Sequence, residues 1–96
     1  MIDFDYSRVM RQVGELRQIA DDMAIASNQK LGPAIVSVEN AWIGESGQLF
    51  LEKCTAFESR VKKEIAQIRS LADYCERAAN EMKNIERQAA TVAADF

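Results

Sequence analysis

The chain has no histidine, one proline and four glycines in 96 residues. Without histidine it lacks the commonest general base and the commonest metal ligand. Most Ser-His, Cys-His and zinc-histidine chemistries are excluded with it. Cysteine is sparse: Cys54 and Cys75 form no C-x-x-C motif, and two thiols do not make a zinc site without other ligands. On one continuous helix they would stand ~30 Å apart, too far to pair within the chain. They read as small buried apolar side chains. Cationic excess is also missing. Lys+Arg is 12 against Asp+Glu 15, a net charge of -3, which gives no electrostatic claim on nucleic acid or anionic membranes. No uncharged apolar run approaches the ~20 residues of a membrane span. Met1-Ile2-Asp3-Phe4-Asp5 is acidic where a signal peptide is basic, so these features alone predict a cytosolic protein.

What remains is helix-forming. The hydrophobic fraction is 48%, but 14 of those residues are alanine, so large apolar side chains are fewer than the percentage suggests. Scarce breakers beside abundant Ala, Glu, Lys, Arg and Gln point to an all-α chain. In the second half, Phe50, Phe57, Leu71, Ala78, Ile85 and Val92 fall on one seven-residue ladder, interrupted by Glu64. Cys54, Val61, Ile68, Cys75, Met82 and Ala89 make a second ladder, four residues on. Together they predict an apolar seam sustained over about six heptads, with Ile65 covering the faulty Glu64 rung. The opposite face, with Glu52, Lys53, Lys62, Lys63, Arg69, Asp73, Glu76, Arg77, Lys83 and Arg87, reads as a solvated charged surface. Pairs such as Asp73/Arg77 would add tenths of a kcal/mol at most.

The first half repeats the pattern on Ile2, Val9, Leu16 and Met23 and on Tyr6, Val13, Ala20, Ser27 and Ala34. Asp3, Asp5 or Ser7 could cap it. Pro33 predicts a kink or short break near Asn28–Gly32, with the helix resuming through Trp42. Gly44-Glu45-Ser46-Gly47 is the strongest turn signal, with Gly44 suited to a left-handed conformation and Ser46 to capping the next helix. The expected fold is one helix-turn-helix hairpin of two long antiparallel helices: a first helix over about 5–42, a turn over about 43–46, a second helix over about 47–90 and a frayed tail. Two such arms bury one stripe each. Ile19, Ile25, Ile35, Leu51 and Ile65 fall outside the main ladders and widen the stripe beyond one partner helix. Pairing of two hairpins into a four-helix-bundle dimer, homo or hetero, satisfies that excess. Val13, Leu16, Ala20, Met23, Phe50, Phe57, Val61, Ile68, Leu71 and Met82 are the predicted core seam and interface.

Trp42-Ile43-Gly44 near the midpoint, Val38 four residues before the tryptophan and Phe50 eight after it resemble the pattern of the WXG100 family, the ESAT-6-like proteins of type VII secretion. The resemblance covers essentially the whole chain. It implies a small non-enzymatic protein that is exported by, or belongs to, a type VII system and acts through dimerisation and recognition by the translocase ATPase. It also implies secretion without a cleaved signal peptide, after a cytoplasmic stage, with no cofactor. Trp42 would anchor the two arms and Gly44 would permit the reversal. The sequence departs from the family at the tail, where Tyr-x-x-x-Asp/Glu is common. Ala78 stands four after Tyr74, and Met10 four after Tyr6. The tail signal then lies on a partner chain, or in a divergent segment such as Asp95-Phe96, or the chain stays inside as an adaptor.

Two further readings stand beside that one. The hairpin could be a targeting partner that binds the helical N-terminal region of a larger type VII toxin, or a generic intracellular coiled-coil scaffold. A membrane-active role fits poorly, because the polar face is mixed in sign and not basic, and no stable membrane insertion is expected. An enzyme fits worst. The carboxylates sit on solvated faces where burial cannot tune them, and Gly44-Glu45-Ser46-Gly47 is not G-x-S-x-G.

Overall fold

Apolar residues at heptad spacing with one turn between them give a helical hairpin in the computed structural model, which describes residues 4–42 and 44–95. Ile2, Asp3, Ile43, Phe96 and the Ser46 side chain lie outside the described residues. The first arm comprises α1 (Tyr6–Ala26), a π-turn (Ser27–Leu31) and α2 (Gly32–Ala41). The second arm is one uninterrupted helix, α3 (Glu45–Ala94). Asp5 opens α1, its side chain accepting the Arg8 amide at 3.1 Å and covering one of the orphan donors of the first turn. The molecule measures 79 × 18 × 14 Å with a radius of gyration of 22.0 Å, against about 13 Å for a compact domain of this length.

The kink or short break expected near Asn28–Gly32 takes the form of a π-turn at that place. The helix continues through it, and the Gly32 amide donates to the Ser27 carbonyl five residues back. Pro33 stands at the start of α2, and the wider turn before it carries the chain past the proline ring and the missing N–H without ending the helix. The extra residue shifts the register by one. Before it, Val13, Ala20 and Ser27 are buried and Val9, Leu16 and Met23 half-buried. After it, the inward positions fall on Leu31, Ile35 and Val38, which are half-buried, while Ala34 is exposed and leaves the ladder predicted for it. A π-turn is a recognised way to insert one residue without ending a helix.

On α3 the seam is rotated by one position from the predicted one. The buried residues are Ile65, Ala72 and Ala79, and Val61, Ile68, Cys75 and Met82 are half-buried beside them. Phe50, Phe57 and Leu71, predicted for the seam, are exposed on its flank. The cause is steric. The antiparallel register sets Val13, Ala20 and Ser27 near the levels of Ala79, Ala72 and Ile65, so each layer contains at least one small residue, the arms approach closely and Phe50, Phe57 and Leu71 stand at the edge. Ala20 and Ala72, both 0% exposed, mark the tightest layer. Cys54 and Cys75 are free thiols, both half-buried.

Polar clips fix this register along the other flank of the seam. Arg17 donates to Glu76 at 2.6 Å and to Asp73 at 3.0 Å, and Arg69 donates to Asp21 at 3.1 Å. The Tyr6 hydroxyl donates to Asn80 at 2.8 Å, and the Lys83 ammonium sits 4.1 Å above the Tyr6 ring. Hydrogen bonds to Glu76 first and Asp73 second raise the Arg17 pKa above its ordinary value, so it stays charged in any ordinary buffer. These groups are largely solvated, so the pairs add little to stability; their effect is to select one alignment of the arms. Asp73, expected to pair with Arg77 along its own helix, instead reaches across to Arg17.

Ser27 is the buried polar exception. It is 4% exposed, and its hydroxyl has no hydrogen-bond partner. A buried hydroxyl without a partner costs about 1–3 kcal/mol. Ser27→Ala is therefore expected to stabilise the chain by about 1 kcal/mol, read as a higher urea midpoint at unchanged slope. A lower midpoint would show that the hydroxyl is satisfied in solution.

Candidate interaction surface

At the closed end of the hairpin, α2 stops because Trp42 leaves the helical region (φ -99°, ψ 127°) while its amide still donates to the Val38 carbonyl at 3.0 Å. Gly44 then adopts φ 106° and ψ -178°, a conformation essentially confined to glycine, and caps the start of α3. The helix begins at Glu45, earlier than the predicted 47, with that carboxylate in the first turn where the helix dipole favours it. The Trp42 indole stacks on Phe50, with ring centroids 5.0 Å apart and planes at 13°. Beneath it the buried Gly47 leaves no room: a Cβ there would meet the Trp42 Cβ at 2.8 Å.

Trp42 is nonetheless 48% exposed. It was expected as an anchor between the arms; it is a corner plate, holding Gly47 with one edge and Phe50 with one face while much of the ring meets solvent. With Ile35, Glu39, Gln48 and Leu51 it lines an open groove of about 460 Å³. Gly47→Ala is expected to push the indole off the corner and cost ~1–3 kcal/mol, with loss of Trp fluorescence structure at the same denaturant concentration. Unchanged stability would show that the corner relaxes freely.

A second apolar feature runs the length of α3. Phe50, Phe57, Leu71, Ile85 and Val92 are all exposed and share one ladder. On α1, Ile19 is likewise exposed. The Arg17–Asp73 and Asp21–Arg69 pairs bracket it and place it level with Leu71. An apolar row of this length on one side, opposite the charged clips on the other, makes the hairpin two-sided. Scattered exposed apolar residues need no explanation; these recur every seven residues, with the exposed Glu64 interrupting them between Phe57 and Leu71. The row was legible in the sequence as a ladder; its outward direction was not, because Ala72 and Ala79 carry little weight in a count of large side chains.

A shallow apolar groove beside the π-turn is lined by Met23, Ala26, Ser27, Lys30, Leu31 and Val61. Among the described residues no group of three or more Cys, Asp or Glu side chains could hold a metal ion. No described helix is long and apolar enough to cross a membrane. No family profile matches the chain, and neither a curated protein nor a solved structure shows significant similarity to it.

Proposed function

We propose that this protein is a small non-enzymatic, ESAT-6-like hairpin that is exported by, or forms part of, a type VII secretion system, pairing through its apolar flank and presenting its turn to the secretion machinery. The observation that carries the reading is the corner itself. A W-x-G reversal folds back a two-helix rod and leaves the indole 48% exposed at its tip, where a docking partner has access to it. Tryptophan in such a position is a favoured anchor for protein recognition. The exposed surface supports the pairing half of the reading. The chain exposes 7538 Å², whereas a compact monomer of its mass exposes about 5,500 Å². The excess is more than the roughly 800 Å² that each partner of a standard interface buries.

Export is tested by expressing the chain in a bacterium with an active type VII translocase and assaying cells and medium. Accumulation in the medium that depends on the translocase is expected. Trp42→Ala should stop export while circular dichroism stays helical, with a stability loss below the ~3–5 kcal/mol of a fully buried tryptophan. Retention of the wild-type chain in the cell would overturn the reading in favour of an intracellular scaffold. The targeting-partner reading has one observation of its own: no Tyr-x-x-x-Asp/Glu follows the turn, so a larger client bearing that signal would supply it.

A further inference from the structure

We infer that the groove at the closed end is a receptor for an arginine side chain, presented by a partner protein beside an apolar residue. This rests on the turn being a docking surface, as proposed above, and adds the chemistry of what docks there. Residues 31–52 contain Glu39, Glu45 and Glu52 and no lysine or arginine, while the rest of the chain carries twelve residues of each sign. The whole net charge of -3 is therefore gathered around the turn. Glu45 opens α3, where the helix dipole offsets part of its charge. Glu39 and Glu52 have no such compensation. They come from different arms, both are exposed, and both line the groove of about 460 Å³. Neither has a cation three or four residues away on its own helix, and among the described residues neither forms an ion pair. Lys53 follows Glu52 but lies ~100° further round the helix and does not line the groove.

The groove's other walls set the kind of cation. Ile35, Leu51 and Trp42, the chain's single tryptophan, supply apolar surface. Phe50 holds one face of the indole, and the ring is still 48% exposed. An indole is the best aromatic surface for a cation, and a guanidinium is the side-chain cation that stacks on a ring while its N–H groups reach carboxylates. A lysine ammonium would gain the charge without the stacking. A bare metal ion lacks ligands, because among the described residues no three Cys, Asp or Glu side chains group together. Nucleic acid and anionic membrane surfaces are repelled by an acidic tip. An arginine alone would leave Ile35 and Leu51 wet, and an apolar neighbour on the same partner covers them. The occupant that satisfies every wall is a basic, partly apolar segment of another protein, complementary in charge to the tip.

The test uses the full chain and a random peptide library displayed on phage. Binders are sorted by whether they still bind Trp42→Ala. Those that need Trp42 are expected to be enriched in arginine beside an apolar residue. One such peptide, free of tryptophan, is then synthesised and titrated against the chain by the fluorescence of Trp42. Replacing its arginine with citrulline, which keeps the shape and removes the charge, is expected to weaken binding about tenfold. The same loss is expected for the chain carrying Glu39→Gln and Glu52→Gln, both at exposed positions, with helicity checked by circular dichroism. Trp42-dependent peptides that are acidic or uncharged, an unchanged affinity in either titration, or the absence of any Trp42-dependent peptide overturns the inference. In the translocase assay, Glu39→Lys with Glu52→Lys is expected to stop export of a chain that stays helical. Export of that variant beside a retained Trp42→Ala would overturn the arginine receptor and leave the proposed function standing. Retention of the wild-type chain would overturn the proposed function, and the peptide titrations then read the groove by themselves.

Discussion

Ala72→Leu is expected to be the most damaging single change inside the hairpin, costing ~2–3 kcal/mol although it adds only apolar atoms. Ala72 is fully buried near the level of Ala20, also fully buried, so three more carbons would have to find room between the arms. The arms would have to separate locally. That would stretch the Arg17–Asp73 and Arg69–Asp21 pairs on either side, which are 3.0 and 3.1 Å long. A shift of this size lowers the melting temperature of a domain of about 100 residues by on the order of 10 °C. Thermal denaturation followed by circular dichroism reads it directly. The same substitution one residue earlier is already present: Leu71 is 51% exposed and stands outside the seam. Neighbouring positions of similar chemistry therefore have opposite tolerances. A melting temperature equal to wild type would mean that residue 72 is not enclosed.

Phe57→Asp is expected to do the reverse, leaving the hairpin folded and removing its self-association. Phe57 is 54% exposed, so a carboxylate there remains hydrated in the single chain. In a pair formed through the apolar flank the same carboxylate would be buried without a partner, and an uncompensated buried charge costs several kcal/mol. Sedimentation or light scattering should report the mass of one chain under conditions where the wild type is paired, with the helical signal kept. Apparent thermal stability would fall with it and lose its dependence on concentration, because binding to the folded state no longer contributes. A variant that still pairs would place the interface elsewhere, with the π-turn groove around Met23 and Val61 the next surface to probe.

Some of this architecture is written in the sequence and some is not. Val13, Ala20 and Ser27 repeat every seven residues beside a second ladder of Val9, Leu16 and Met23, and the two together assign the inner face of α1. Gly44 announces the reversal because its φ of 106° excludes other residues. The α3 seam was harder, because two ladders compete for it. Large side chains favour Phe50, Phe57 and Leu71; the close approach enforced by Ala20 favours Ala72 and Ala79. The second consideration depends on the partner arm and is invisible on one helix alone. Pro33 marked the place of the irregularity but not its form. A proline forbids one hydrogen bond, but whether the helix breaks or widens depends on tertiary register, and widening aligns Leu31, Ile35 and Val38 with α3. Trp42 was read by its size, whereas its position at the corner, against Gly47, sets how much of it can be covered.

The most direct test is the solution mass of the wild-type chain beside Leu71→Asp, by size exclusion with light scattering. A wild type near twice 10.8 kDa and a helical Leu71→Asp at 10.8 kDa are expected, since residue 71 serves pairing and not the hairpin interior. A stable wild-type monomer, or a Leu71→Asp chain that loses its helices, would contradict the assignment of a small-residue seam inside and a large-residue ladder outside.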